Sequence, residues 1–337
     1  MNSLPFISVL VMSHNQEAFI RDAVDSILSQ EYDGELEFIF CDDHSTDSTF
    51  EIIQELVSQY KGNRRIVTHK AEVNSRVAAN MNIAIQFAKG DWFMRVDGDD
   101  ILHPDRVRLS AKAIMEHPNA VAVSGKFAYF ETDYQPVTNP GDSDIRYNVF
   151  SFNDFETKRI PSGLEWWGGI MTMHRSIFDT FGPLPHECHV LDDTMFATRS
   201  LMLGDFVIIE NAVLLYYRRH GGNISSSCDK ENSSIRALIK QDKASRDYYR
   251  RGIPCHEPIL NEIRKFALLH PELQNLLESF QDRFAQLSRQ AYFWDKSWKE
   301  RIDDAHISGS FWKKIPWALR VMNPFTYALA AKIKNKS

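Results

Sequence analysis

The sequence predicts an α/β fold in which a mostly parallel sheet is flanked by helices and followed by an appended helical region. Short apolar runs alternate with helical spacing of apolar residues up to about residue 130, which is typical of a parallel sheet. Beyond about residue 228 only helical periodicity remains. The length of 337 residues suits about two domains. We therefore assign residues 1–227 to the α/β domain and residues 228–337 to a C-terminal helical region with a basic amphipathic tail.

Seven short runs rich in β-branched or aromatic residues predict strands. They are residues 6–12, 36–41, 65–69, 92–96, 121–130, 168–174 and 212–218. Helical spacing covers residues 19–28, 77–88, 105–116, 192–203, 235–250, 258–269 and 272–294, and a capping box at residues 48–51 opens one more helix. Residues 134–161 are polar and rich in proline, which predicts a long loop beside a site.

The composition excludes several classes of protein. A formal net charge of -6 and a pI of about 6.1 argue against a dedicated nucleic-acid binder. The four cysteines lie far apart without a C-x-x-C pair, so we expect neither a zinc site nor a disulfide framework, but reduced thiols in a cytoplasmic protein. The N-terminus lacks the basic region of a secretion signal, and no run of about 18 apolar residues predicts a transmembrane helix.

The last 27 residues, 311–337, have an unusual composition. They contain six lysine or arginine residues and five aromatic residues, and no acidic residue. Such a segment can lie on the surface of an anionic membrane, so we expect peripheral contact with the inner face of the membrane. The alternative is a terminal helix that packs its aromatic side chains on the core.

Three acidic clusters predict where ligands bind. Asp43 follows the second strand, Asp97 and Asp99 follow the fourth, and Asp192 and Asp193 open a late helix. Ligands of open α/β sheets bind at the carboxyl ends of the strands, so these clusters are expected at one edge of the sheet.

Each cluster has a functional and a structural interpretation. The D-x-D pattern of Asp97 and Asp99 fits a Mg²⁺ or Mn²⁺ site, because these ions take oxygen ligands and share them with substrate phosphates. The alternative is an exposed turn that caps the next helix. Asp43 either recognises a base or ribose, or serves as a turn carboxylate. Asp193 either acts as a general base or stabilises the dipole of its helix.

Five segments occur together in a characteristic order. They are ISVLVMSHNQEAFIRDAVDSILSQ, EFIFCDDHSTDST, AIQFAKGDWFMRVDGDD, LDDTMFATR and YYRRHGGNIS. In this order and spacing they resemble the nucleotide-sugar glycosyltransferases of family 2, and the likeness covers residues 6–226. The resemblance implies the GT-A fold, which is a Rossmann-like α/β fold, and inverting transfer of a sugar. It says nothing about the helical region.

The resemblance implies a role for each matching residue. The nucleotide and sugar side would be lined by Ser13, His14, Asn15, Glu17, Asp43, Arg76, Asp97, Trp167, Gly168 and Asp192. Within that set, Asp43 would bind the base, Asp97 would face the ribose or sugar, and Arg76 would lie near the diphosphate. Asp99 would be the main metal ligand, and His220 would close over the diphosphate or the metal. Asp193 would be the catalytic base.

Some positions depart from the family's pattern. His14 stands where tyrosine is common, Ala79 where arginine is common, and Asp192 where glutamate is usual. The shorter Asp192 keeps the charge but reduces the reach. Without an arginine at position 79, binding of the diphosphate would depend more on Arg76 and on the metal.

The sequence thus predicts an inverting, metal-dependent glycosyltransferase that uses a nucleotide diphosphate sugar, with UDP as the expected nucleotide. The expected acceptor is a glycan or a lipid-linked molecule in the synthesis of a bacterial surface polysaccharide or glycolipid. One alternative is a sugar-phosphate nucleotidylyltransferase, although the first loop, SHNQEAF, lacks the Gly-rich, basic composition of such enzymes. The other alternative is a catalytically inactive carbohydrate-binding or scaffold protein.

Overall fold

The computed structural model describes residues 3–151, 154, 168–221, 223, 235–296 and 300. The strands are β1 (Ile7–Ser13), β2 (Leu36–Asp42), β3 (Arg65–Lys70), β4 (Trp92–Asp97), β5 (Ile101–Leu102), β6 (Ala120–Phe130), β7 (Tyr147–Phe150), β8 (Thr172–His174) and β9 (Asp205–Arg218). The α-helices are α1 (Ile20–Leu28), α2 (Thr49–Gln59), α3 (Arg76–Phe87), α4 (Arg106–Glu116), α5 (Ser176–Phe181), α6 (Asp192–Leu203), α7 (Ile235–Gly252), α8 (His256–Ala267) and α9 (Gln274–Ala291).

Among the described residues, nine strands form one mixed sheet in the order β3-β2-β1-β4-β8-β6-β9-β5, with β7 also paired to β9. The first four strands in this order are parallel, and β6 is parallel to β9. The short β8 lies antiparallel between β4 and β6. The predicted α/β class, with its sheet flanked by helices and its helical C-terminal region, is confirmed.

The core lies between this sheet and the helices. Every residue of β1 and β2 is buried, as expected for strands covered on both faces. Helix α1 buries Ile20, Val24 and Ile27, whose i, i+4, i+7 spacing forms one apolar stripe. Because Ile27 has no exposed surface, its replacement by alanine is expected to cost about 2–5 kcal/mol.

Several local predictions differ from the structure, including the missed strand β5 and the start of β9 at Asp205 rather than at residue 212. The capping box at residues 48–51 is wrong, because Ser48 makes no side-chain cap and its N–H donates to Glu17 Oε2 from the neighbouring loop, at 3.0 Å. The expected loop 134–161 contains strand β7. The expected strand 168–174 begins with a 3₁₀ turn, Gly168–Ile170, and the short helix α5 is absent from the prediction.

The cysteine prediction is only partly right. Cys41 is free and buried, but Cys188 and Cys255 are disulfide-bonded, so the expectation that all thiols are reduced is wrong for these two. Sequence spacing could not reveal this, because disulfide formation depends on the distance between Cα atoms in the fold.

The chain divides into two compact units. One contains residues up to Arg219 together with Pro258–Leu277, and the other contains His220–Glu257 and the residues from Glu278 onward. The sequence-based boundary at 227/228 stays a prediction. Within the described part of the chain, no helix combines the length and the apolar character needed to cross a bilayer. The basic tail, residues 311–337, lies outside the described residues.

Candidate active site

The carboxyl ends of three parallel strands meet at one edge of the sheet. The strand register pairs Ser13 of β1 with Asp42 of β2, and Met12 of β1 with Asp97 of β4. The loops that follow these strands are therefore neighbours. The buried Ser13 hydroxyl donates to Asp42 Oδ1 at 3.3 Å, so Ser13 lies beneath these loops.

The first two loops are joined by hydrogen bonds. Asn15 N donates to Ser45 Oγ at 2.8 Å, and Thr46 N donates to Asn15 Oδ1, also at 2.8 Å. Glu17 accepts the Ser48 N–H. Asn15 has φ 50°, a left-handed conformation that asparagine tolerates better than most residues. The two loops thus hold each other in place.

His14 is an exposed ring held at this edge. Its Nδ1 lies 2.8 Å from the Asp43 carbonyl oxygen, which requires a proton on Nδ1. Its Nε2 lies 3.0 Å from Asn74 Nδ2 and accepts a hydrogen bond from it. The imidazole is therefore fixed at both nitrogens, with a flat surface available to an aromatic ligand.

Asp43 anchors the start of helix α3. Its Oδ1 accepts hydrogen bonds from Ser75 N at 2.7 Å and from Ser75 Oγ at 2.9 Å, and its Oδ2 accepts one from Arg76 N at 2.7 Å. A carboxylate has about four acceptor positions, so one remains on Oδ2. Asp43 is thus a structural cap that retains capacity for one ligand hydrogen bond.

Arg76 has an unusual backbone conformation. Its φ is 69°, a left-handed value that is rare for an arginine and carries a conformational cost. Its exposed side chain reaches the loop before α6, where Nη1 lies 2.9 Å from His189 Nε2. The guanidinium therefore links the start of α3 to the segment that leads to Asp192 and Asp193.

A buried arginine joins the other two acidic clusters. Arg95 of β4 donates from Nη1 to Asp192 Oδ2 at 2.5 Å and from Nη2 to Asp97 Oδ1 at 2.9 Å. Only 9% of its side chain is exposed. Attraction to Asp192, Asp97 and Asp193 raises its pKa against the opposing effect of burial. We call Arg95, Asp97, Asp192 and Asp193 the Arg95 cluster.

The Asp193 carboxyl has the properties of a base that works near neutral pH. Burial and the adjacent Asp192 raise its pKa to about 7, while hydrogen bonds from Thr194 and the charge of Arg95 limit the rise. Thr194 N donates to its Oδ1 at 2.6 Å. A carboxyl with this pKa is partly ionised at pH 7 and able to accept a proton.

The D-x-D turn is under electrostatic strain. Burial and the neighbouring carboxylates raise the pKa of Asp97, and they raise that of Asp100 well above its ordinary value. Asp100 Oδ1 accepts the Arg218 N–H at 3.0 Å, whereas its buried Oδ2 has no hydrogen-bond partner. Arg218 Nε also donates to the Asp99 carbonyl oxygen at 3.0 Å. Arg218 therefore fixes the backbone of this turn.

Two glycines allow a loop to approach the Arg95 cluster closely. A Cβ at position 168 would lie 1.9 Å from Arg95 Nη1, and one at position 169 would lie 2.8 Å from Asp97 Oδ2. Gly169 O also accepts a hydrogen bond from the buried Arg106 Nη1, at 3.0 Å. Gly168 thus lies beside the Arg95 guanidinium and Gly169 beside Asp97, and the predicted role of Gly168 in binding the sugar stays a prediction.

Two predicted site residues cannot be placed in this arrangement. Trp167 lies outside the described residues. His220 belongs to the other compact unit, and the contact described for it is local, from its N–H to Asn223 Oδ1 at 2.6 Å. Their predicted roles stay predictions.

Arg95 and Arg218 are site residues that the sequence analysis did not identify. In the strand WFMRVD, Arg95 and Asp97 are two residues apart and therefore share a face. This spacing was a usable signal. Arg218 has no such signal, because its contact with the D-x-D turn depends on the pairing of β9 with β5.

The D-x-D turn offers oxygen donors of the kind that a divalent metal takes. Among the described residues, no group of three or more His, Cys, Asp or Glu side chains could by itself hold an ion. Mg²⁺ sites commonly use one or two carboxylates, with water and substrate phosphates supplying the other ligands. Asp99, beside the unpartnered Asp100 Oδ2, provides oxygen donors of this kind, so the residues present fit such an ion.

Comparisons with known proteins agree with this geometry. The family model described as Glycosyl transferase family 2 matches residues 8–181, which is more than half of the chain. The hyaluronan synthase of Pasteurella multocida is 34% identical over 163 residues, covering 48% of this chain and 15% of that protein. The chain spans between 15% and 46% of the length of the curated relatives that it matches at 33–34% identity.

Two solved structures share the fold. TarS 1-349 of S. aureus in complex with UDP-GlcNAc aligns with a TM-score of 0.61 and 18% identity, covering 96% of this chain and 81% of that one. The mannosyltransferase PcManGT from Pyrobaculum calidifontis, in complex with GDP-Man and Mn²⁺, aligns with a TM-score of 0.50 and 18% identity, covering 98% of this chain and 87% of that one.

Proposed function

Because the chain belongs to glycosyl transferase family 2, we propose that it transfers a sugar from a nucleotide diphosphate sugar to an acceptor hydroxyl with inversion at the anomeric carbon. The observation that carries the proposal is the Arg95 cluster, in which a carboxyl with a pKa of about 7 lies beside the D-x-D strand. Such a carboxyl is suited to deprotonating a hydroxyl at neutral pH.

The proposed reaction is a single displacement. The acceptor oxygen attacks the anomeric carbon, and its proton moves to the Asp193 carboxylate as the new C–O bond forms. The bond from the anomeric carbon to the diphosphate oxygen breaks at the same time, and the nucleoside diphosphate leaves with the electron pair. Arg95 holds Asp97 and Asp192 in place, and the reacting atoms would lie beside this pair.

We assign the nucleotide to the two interlocked loops. The fixed ring of His14 offers a stacking surface for the base, and the remaining acceptor position on Asp43 Oδ2 suits an N–H donor such as that of uracil. The exposed Arg76 guanidinium, which contacts His189, would pair with the diphosphate. UDP as the nucleotide is supported by the UDP-GlcNAc complex of TarS.

A divalent metal is part of the proposal. Asp99 would hold Mn²⁺ or Mg²⁺ with the Asp100 carboxylate nearby, and His220 is a further proposed ligand. When bound, the ion would neutralise charge on the leaving diphosphate. The Mn²⁺ in the mannosyltransferase complex supports this assignment.

The acceptor proposed is a glycan or a lipid-linked molecule in the assembly of a bacterial surface polysaccharide. The name of the hyaluronan synthase supports a polysaccharide product. We further propose a cytoplasmic enzyme that touches the membrane through residues 311–337. The proposed membrane contact is tested by co-sedimentation with anionic liposomes of the protein with and without residues 311–337. Removal of these residues should reduce binding to the liposomes, and unchanged binding would contradict the proposal.

Two experiments test the catalytic proposal. Thermal unfolding with UDP, GDP, dTDP or CDP, each with and without Mn²⁺, should show a metal-dependent shift for UDP, because a ligand at 100 times its dissociation constant adds about 2.7 kcal/mol. Release of UDP from UDP-sugars should occur in the wild type and fall about 10²–10⁴-fold in Asp193→Asn. A folded protein that neither binds a nucleotide nor cleaves a nucleotide sugar would instead be a scaffold.

A further inference from the structure

We propose that Arg95 is a positioning residue that sets the working pH of the catalytic base while holding the donor-side carboxylate Asp97. This inference rests on the proposed function, because it assumes that Asp193 accepts the proton of the acceptor. The inference is based on two hydrogen bonds that the buried Arg95 guanidinium donates, one to Asp97 on β4 and one to Asp192 at the start of α6.

The position of Arg95 leaves little freedom of movement. Each terminal nitrogen donates to a different carboxylate, at 2.5 and 2.9 Å, and Arg95 O accepts the Nη2–H of Arg106 at 2.7 Å. The Gly168 backbone closes one side of the guanidinium, because a Cβ there would overlap Nη1. A shift of Arg95 therefore moves both carboxylates. Because Asp192 lies in the first turn of α6, the same shift also moves the turn that carries Asp193.

The charges around Asp193 give Arg95 its effect on the base. Asp192, from the same helix, disfavours the ionised form of Asp193, and Arg95, from β4, favours it. Because Arg95 is also paired with Asp192, its removal would take away the favourable charge and leave Asp192 uncompensated. Both changes raise the pKa of Asp193. A nearby opposite charge lowers the pKa of a carboxyl, so the loss of Arg95 would raise the pKa of Asp193.

The structure explains why lysine would not replace Arg95. The guanidinium is a planar fork that donates to two carboxylates at once, whereas the lysine ammonium is a compact charge on a flexible stem. Lysine at position 95 would keep the charge near Asp193 but would hold only one carboxylate firmly. We therefore expect Arg95→Lys to lower the maximal rate more than it moves the pH dependence.

The test is the pH dependence of kcat for UDP release in the wild type and in Arg95→Lys, Arg95→Met, Asp192→Asn and Arg65→Met. The acidic limb of the wild-type profile is expected near pH 7. The limb should move up by about 1 unit or more in Arg95→Met, because loss of a positive charge disfavours ionisation of Asp193. It should move down in Asp192→Asn, because loss of a negative charge favours ionisation. Arg65→Met is the matched control, because Arg65 also pairs with a buried strand carboxylate, Glu37, and its profile should not move.

The outcomes separate the two proposals. A wild type without UDP release from any nucleotide sugar would refute the proposed function. An active wild type that loses activity in Asp193→Asn, while Arg95→Met folds and keeps its acidic limb in place, would refute the role of Arg95 alone. If Arg95→Met does not fold, an unmoved limb in Asp192→Asn gives the same refutation.

A second readout does not depend on activity. The stabilisation gained at pH 8 on replacing Asp193 by asparagine should be larger in the Arg95→Met background than in the wild type, because methionine leaves the charge of Asp192 uncompensated. Equal gains in the two backgrounds would count against electrostatic coupling between Arg95 and Asp193.

Discussion

Replacement of Asp193 by asparagine should stabilise the protein at pH 8 while it removes activity. The carboxyl is in an environment that raises its pKa from 3.8 to about 7, chiefly through burial and the charge of Asp192. The ionised form is therefore disfavoured in the folded protein relative to the unfolded chain. An asparagine of nearly the same shape carries no such charge.

The magnitude follows from the pKa change. A rise of about 3 units corresponds to about 4 kcal/mol, at 1.36 kcal/mol per unit. Because the folded state binds the proton more tightly, this destabilisation is absent below about pH 4, grows as the pH rises to 7, and is then constant. Asp193 is only partly buried, and solvent screening reduces the effect. We therefore expect about 2 kcal/mol at pH 8.

The assay is urea unfolding of wild type and Asp193→Asn at pH 5 and pH 8. The difference between the two proteins should grow in favour of the variant as the pH rises. Groups such as Glu37 and Asp105, whose pKa values are lowered, affect both proteins equally and cancel in this difference. If the difference is the same at both pH values, Asp193 does not have the raised pKa that supports its proposed role as a base.

Other predictions concern the backbone near the site. Gly168→Ala should lose about 1–3 kcal/mol of stability and most of the activity, because its Cβ would collide with the restrained Arg95 guanidinium. Gly141→Ala is the control, since its Cβ would make only an ordinary 3.7 Å contact. Equal midpoints of urea unfolding for the two variants would contradict this prediction. Arg76→Gly should stabilise the fold by up to about 1 kcal/mol by relieving the positive φ, yet weaken UDP binding in calorimetry. Unchanged affinity for UDP would remove Arg76 from the diphosphate site.

Much of the sheet could be predicted from the sequence, because buried parallel strands appear as continuous apolar runs. Strands β1, β2 and β4 lie within one residue of their predicted limits, and α6 begins and ends as predicted. Strands β7 and β8 could not be predicted as they are, because both are short and depend on pairing with distant strands. The disulfide bonding of Cys188 and Cys255 could not be predicted either, because it depends on distances in the fold.

The candidate site was predictable to a different degree. Asp43 and Asp97 stand at the ends of buried parallel strands, so their convergence at one edge follows from the parallel arrangement, whereas Asp192 and Asp193 open helix α6 and their position does not. The electrostatic connection between the acidic residues cannot be predicted from the order of the strands. Arg95 was visible only as one polar residue inside an apolar strand, and Arg218 only as one of two arginines before a histidine. Their contacts require the distance between β4, α6 and β9, which the sequence does not contain.

The hydrogen bonds between the first two loops also bear on how a ligand binds. The backbones of Asn15, Thr46 and Ser48 are held by side chains of the opposite loop. Their conformational entropy is therefore lost when the chain folds, and an incoming ligand does not have to order them again. If the nucleotide binds at these loops as proposed, its affinity reflects the contacts that it makes itself, and its association rate is not limited by ordering of the loops.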